Sequence, residues 1–179
     1  ERLANDAEGW RLADKYAAAV IRHLEQNKEP REILAEAYLK RAVLNDSGKP
    51  FKKYKKLGLD CRYAEISLRL RESLSARYAL GRYWIEYGNR PKQAYLHLKQ
   101  CEKQGMDYER LYYYIARCHE RFREWNKAIG YYDKALQKNP ESSNCYWRLS
   151  VLYKQKYTRT LQKEYGDKAL YYTNLLAEK

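Results

Sequence analysis

The residues of this chain that could do chemistry are three histidines, four cysteines, a lysine run and a large stock of arginines and tyrosines. His23, His97 and His119 are too scattered to suggest a metal site, and the sequence contains no HExxH, GxSxG or phosphate-cradling GxxxxGK. Cys61, Cys101, Cys118 and Cys145 stand singly without a CxxC pair, which excludes a zinc knuckle and a thioredoxin-like motif and leaves isolated buried thiols. Such thiols fit a reducing compartment, so a cytoplasmic setting is mildly favoured. Glu120 and Glu124 fall at i,i+4 spacing, but both have Arg neighbours, and solvated ion pairs account for them. Catalysis therefore has no foothold, and neither a cofactor nor a metal is expected.

What remains is the chemistry of binding. A tyrosine offers a rigid apolar ring and one hydrogen-bonding group at low entropic cost, and an arginine offers a planar fork to carboxylates and phosphates. The chain holds 20 tyrosines, clustered at Tyr112 to Tyr114, Tyr131-Tyr132 and Tyr171-Tyr172, more than packing alone requires. Its net charge of +13 biases it toward acidic partners. Lys52, Lys53, Lys55 and Lys56, with Phe51 and Tyr54 among them, form a concentrated basic loop that could meet acidic protein, lipid or nucleic acid.

The elements that must carry these groups are helices. Only 8 Gly and 4 Pro punctuate 179 residues, 45% of them hydrophobic, which favours long helices joined by short turns. No apolar run approaches the roughly 20 residues that cross a bilayer, and there is no signal-peptide pattern at the start. The chain begins at Glu1 without an initiator Met and so reads as a piece of a longer protein.

A step of 34 residues carries Ala94 to Ala128, Leu98 to Tyr132, Cys101 to Ala135, Met106 to Pro140 and Tyr112 to Tyr146. A small, large, small pattern at fixed offsets is what two closely approaching helices need in every copy of a helix-turn-helix unit. With Ile115-Ala116 and Leu80-Gly81 on the preceding helices, the pattern resembles the tetratricopeptide repeat family. The resemblance covers about residues 30 to 179 and is strongest over 109–142.

The resemblance implies an all-α solenoid of stacked helix pairs in a right-handed superhelix. Residues 1–29 are expected to form a helical cap or truncated repeat, and 30–74 a divergent repeat with a basic insertion at 46–58. Repeats are expected at 75–108 and 109–142, then a C-terminal repeat over 143–179 with an insertion near 156–164. The divergent repeat is expected to carry Leu34-Ala35 and Tyr38 on one helix and Ala64, Leu68 and Arg71 on the next. His119 stands where the family usually packs an aromatic, at the core or its edge.

By the same resemblance, first-helix side chains line a concave partner-binding face. That transfer assigns Tyr78 and Arg82, then Arg110, Tyr113, Arg117 and Glu120, then Asn144, Trp147, Val151 and Lys154, with Glu29, Glu32 and Glu36 in the divergent repeat. The implied function is a protein-protein interaction module, an adaptor or scaffold holding a peptide or protein, acidic in character. The alternative is a single-stranded nucleic-acid binder, with the Arg and Tyr residues stacking bases and the lysine loop tracking phosphates.

Overall fold

A computed structural model of the chain describes residues 7–47 and 59–178, with side chains from 12–42 and 61–178. The lysine loop at Lys52 to Lys56 lies outside the described residues. Among the described residues there are nine α-helices and no strand. They are α1 (Ala7–Gln26), α2 (Arg31–Ser47), α3 (Leu59–Leu70), α4 (Leu74–Glu86), α5 (Pro91–Lys103), α6 (Glu109–Arg121), α7 (Trp125–Lys138), α8 (Ser143–Thr160) and α9 (Lys163–Ala177). None of them is long and apolar enough to cross a membrane. The chain divides into two compact units, Glu1–Gln104 and Gly105–Lys179.

In the first unit α2 packs on α3 and α4 on α5, while α1 lies against α2 and α3 against α4. Local signals set the helix ends. The Ser73 side chain caps α4 by accepting from the Ala76 amide at 3.4 Å, and Pro91, which has no amide hydrogen to satisfy, opens α5. Gly81 marks a close approach of α4 and α5. A Cβ built there would stand 2.6 Å from Leu98 Cγ and 3.2 Å from the Ala94 carbonyl oxygen, so no side chain fits. Ala94, Leu98 and Cys101 are fully buried along the facing side of α5, as the small, large, small spacing predicts.

The α2–α3 pair departs from that reading at one place. Ala64 is buried, but Arg71 falls beyond the last residue of α3 and is exposed. The small buried residue beside the crossing is Ser67, whose hydroxyl donates to the Ala35 carbonyl at 2.7 Å. A hydroxyl can sit in a dry seam because the neighbouring helix offers it an acceptor. Helix α1 is tied to α2 by Asp14 and Arg41 at 2.9 Å, and the Arg41 guanidinium also lies 4.4 Å from the centre of the Tyr63 ring.

In the second unit α6 pairs with α7 and α8 with α9, and α7 packs on α8. The core joins Ala116, Ala128, Tyr132 and Ala135 to Leu149, Leu152 and Tyr153. Removing the Leu149 and Leu152 side chains from water contributes roughly 1.5–3 kcal/mol each. Tyr172 stacks on Tyr153 with ring centres 5.8 Å apart, and Tyr113 packs on Tyr132 at 5.7 Å, so many tyrosines serve as packing. The seven residues by which α9 arrives late are taken up partly by length: α8 runs 18 residues against 13 in α6, then stops at Leu161 in the left-handed conformation, φ +57°.

All four cysteines are buried and unbridged. Burial pushes the thiols up, to about 11 for Cys101 and Cys145 and about 12 for Cys118. His119 is also buried, its Nδ1 2.6 Å from a Glu124 carboxylate oxygen and its ring stacked on Tyr131.

Candidate functional site

The residues assigned to the binding face are spaced three and four apart, which puts them on one face of their helices. On α4, Tyr78 and Arg82 are half-buried, and the Arg82 guanidinium lies 5.9 Å from the centre of the Tyr78 ring. Also in the first unit, α2, the end of α3 and the turn after it enclose a cleft of about 380 Å³ lined by Glu32, Glu36, Arg71 and Glu72. Glu36 pairs with Lys40 at 2.9 Å, and that hydrogen bond holds its carboxyl below the usual range. Glu29 is exposed at the α1–α2 turn.

The second unit holds the denser arrangement. On α6, Arg110 is exposed, whereas Tyr113, Arg117 and Glu120 are half-buried in line. On α8, Asn144 and Lys154 are exposed, Val151 is half-buried, and Trp147 leaves 51% of its surface open to solvent. Between the two helices lies a cleft of about 370 Å³ lined by Arg117, Glu120, Arg121, Arg148 and Val151, with Trp125 of α7 at its border.

The centre of this cleft is the Glu120 carboxylate. One oxygen accepts from the buried Tyr132 hydroxyl at 2.6 Å, and the other stands 3.4 Å from Arg148 Nη1 and 3.9 Å from Arg117 Nε. Glu120 is therefore not the solvated carboxylate its spacing implied, because Tyr132 reaches it from the core and two arginines close over it. Glu124 matches that reading on one side only: one oxygen pairs with Lys127 at 3.0 Å, while the other lies 2.6 Å from the buried His119 Nδ1. Burial, followed by the Glu120 charge, drives the Tyr132 phenol well above its ordinary value. Burial opposes the Arg117 charge, yet the hydrogen bond to Tyr113 and the fields of Tyr113, Tyr132 and Glu120 keep its guanidinium raised.

Two guanidinium groups around one carboxylate leave the cleft a net positive charge. Arg148 is the residue sequence reasoning missed. Its guanidinium lies 4.5 Å from the centre of the Trp147 ring, and its buried Nε has no hydrogen-bond partner. The signal was its neighbour, since an arginine directly after an assigned aromatic can fold back across that ring. Among the described residues no group of three His, Cys, Asp or Glu could hold a metal ion.

These helix pairs, small residues at the α4–α5 and α6–α7 crossings and polar first-helix faces define a solenoid of the tetratricopeptide-repeat type. Solved structures agree on that fold. A crystal structure of MamA superposes with a TM-score of 0.67 at 20% identity, covering 96% of this chain and 92% of that one. MamA 41-end from Desulfovibrio magneticus RS-1 gives 0.63 at 15% identity, covering 90% and 95%. Yeast Tom70 gives 0.57 at 16% identity over 98% of this chain, which matches 42% of the Tom70 chain. No family model matches the sequence, and no curated protein matches it.

Proposed function

We propose that this chain is a protein-interaction module, an adaptor with no catalysis of its own, that holds an acidic segment of a partner against α6 and α8. The observation that carries this reading is the pairing of Arg117 and Arg148 in a solvent-reached cleft beside the half-open Trp147 ring. Arginine forks bind carboxylates bidentately, and an adjacent aromatic buries the apolar part of the same peptide. Arg110, Asn144 and Lys154 form the polar rim around them, and Tyr78 with Arg82 repeats the ring-and-arginine pairing on α4. A stacked-repeat fold supports such a role because each pair adds a further strip of binding surface.

The test is titration of a fluorescent acidic peptide against the folded chain and two variants. Trp147→Ala and Arg117→Gln should each weaken binding by roughly 1–4 kcal/mol. Melting should be nearly unchanged for the exposed Trp147. Full binding by a folded double variant would place the interface elsewhere. A single-stranded oligonucleotide that outcompetes the peptide, with affinity falling steeply as salt rises, would favour nucleic acid instead.

A further inference from the structure

The far end of α8 carries a second cluster, which shares only the Trp125 ring with the peptide cleft. The added turns of that helix bring Lys156 and Arg159 beside the α6–α7 turn and the start of α9. A further cleft of about 350 Å³ opens there, lined by Arg123, Trp125, Asn126, Lys156, Arg159 and Tyr165. The Arg159 guanidinium lies 4.1 Å from the centre of the Trp125 ring, and the Lys156 ammonium lies 4.1 Å from that of Tyr165. Lys156 also donates to Asn126 Oδ1 at 3.0 Å.

None of the residues lining this cleft is acidic. Glu164 on α9 feels the Lys156 charge, but that carboxylate is bonded to Lys168 at 2.5 Å. Arg159 and Lys156 are thus positioned by aromatic rings and an amide and not by acids. A cation held on a ring keeps its charge, and a stacked guanidinium keeps its in-plane N–H donors for another acceptor.

We propose that this cleft binds a phosphate monoester carried on a phosphorylated serine or threonine of a partner protein. Three cations around one small opening suit a tetrahedral dianion with three acceptor oxygens, whereas a single carboxylate would leave part of that charge unmet. Nucleic acid is the poorer match. Sequence-independent binding of a strand needs open ring faces for bases and a basic stripe for the backbone. Here Arg159 and Lys156 already cover one face of each ring, and the charge is gathered in one place.

The experiment follows the Trp125 indole N–H resonance, assigned with Trp125→Phe, during titration with inorganic phosphate at constant ionic strength. The same titration is run with a Gly/Ala-flanked phosphoserine peptide, with its unphosphorylated form and with a single-stranded oligonucleotide. The expected result is a saturable Trp125 shift with phosphate and with the phosphopeptide. Affinity for the phosphopeptide should fall at least tenfold without the phosphate, and likewise in Arg159→Gln and Lys156→Gln chains whose circular dichroism is unchanged. Inorganic phosphate should still move the Trp125 signal in an Arg148→Gln chain, which separates this site from the peptide cleft that Trp125 also borders. The proposal is overturned by an unmoved Trp125 signal, by equal affinity for the unphosphorylated peptide, by undiminished binding in both charge variants, or by tighter binding of the oligonucleotide at these residues.

Discussion

The Tyr132 hydroxyl donates to Glu120 Oε1 over 2.6 Å, so a phenol with no exposed surface supports the carboxylate at the centre of the cleft. Core and binding surface are joined at this one bond. Changing Glu120 to Ala leaves the phenol without its acceptor in a dry seam, a loss worth about 1–3 kcal/mol. Glu120→Gln keeps an acceptor for Tyr132 while releasing both arginines from their internal counter-charge. Urea denaturation should show Glu120→Ala much less stable than Glu120→Gln, and the Gln variant should take up acidic peptide more tightly than the parent. Equal stability of the two variants would refute the arrangement.

The α4–α5 crossing tolerates no added carbon at Gly81, because Leu98 Cγ and the Ala94 carbonyl already stand where a Cβ would go. Gly81→Ala should therefore destabilise by roughly 1–3 kcal/mol despite alanine's better helix propensity. Ala128→Leu should carry a similar penalty at the α6–α7 crossing, where Ala128 is fully buried. Thermal melting of both variants checks these values, and an unshifted midpoint would place the residue on the wrong face.

Alkaline pH should unfold the protein early. Burial raises Tyr38 and Tyr172 to about 12, the former helped by Glu25, and raises Cys118 to about 12. For each of these groups the folded chain keeps a proton that the unfolded chain releases nearer pH 9 to 10. Their stabilising contribution is therefore complete below about pH 8 and drains away as pH rises toward 12. Melting temperature measured from neutral pH upward should begin to fall near pH 9, and a flat profile to pH 11 would contradict the burial of these groups.

Leu161 ends α8 at φ +57° with 76% of its surface exposed, a conformation that crowds its Cβ and gains little burial in return. Leu161→Gly should accordingly raise stability by roughly 0.5–1 kcal/mol, the relief of left-handed strain exceeding the entropy added to the unfolded chain. Chemical denaturation would register that gain. A loss would mean that the leucine packs on something essential.

The helix crossings were legible in the sequence because a crossing imposes size on both partners. Only small residues pass at Ala94, Cys101, Ala128 and Ala135, and each is fully buried. Isolated thiols and a core histidine were readable for a related reason, since nothing nearby in sequence offered them chemistry. Arg71 misled, because periodicity counts positions and cannot see that α3 stops one residue short. Ser67 was hidden by its polarity, as its acceptor lies 32 residues away on another helix. The ion pair of Arg148 with Glu120 and the buried side of Glu120 escaped for the same cause: both rest on partners on other helices, and sequence spacing reports only partners on the same one. The cluster around Trp125 was registered only as an insertion, since the count of extra residues does not reveal that they continue α8 and carry two cations to two rings.

The four buried thiols belong to four different helices, α3, α5, α6 and α8, and none is bridged. Each is therefore a chemical clock for its own seam. A brief exposure to a cysteine-alkylating reagent, followed by mass spectrometry, would time the local opening of Cys61, Cys101, Cys118 and Cys145 one by one, with no probe introduced by mutation. Because neighbouring helix pairs carry separate reporters, the order in which the thiols become labelled would show whether this protein opens from an end inward or unit by unit.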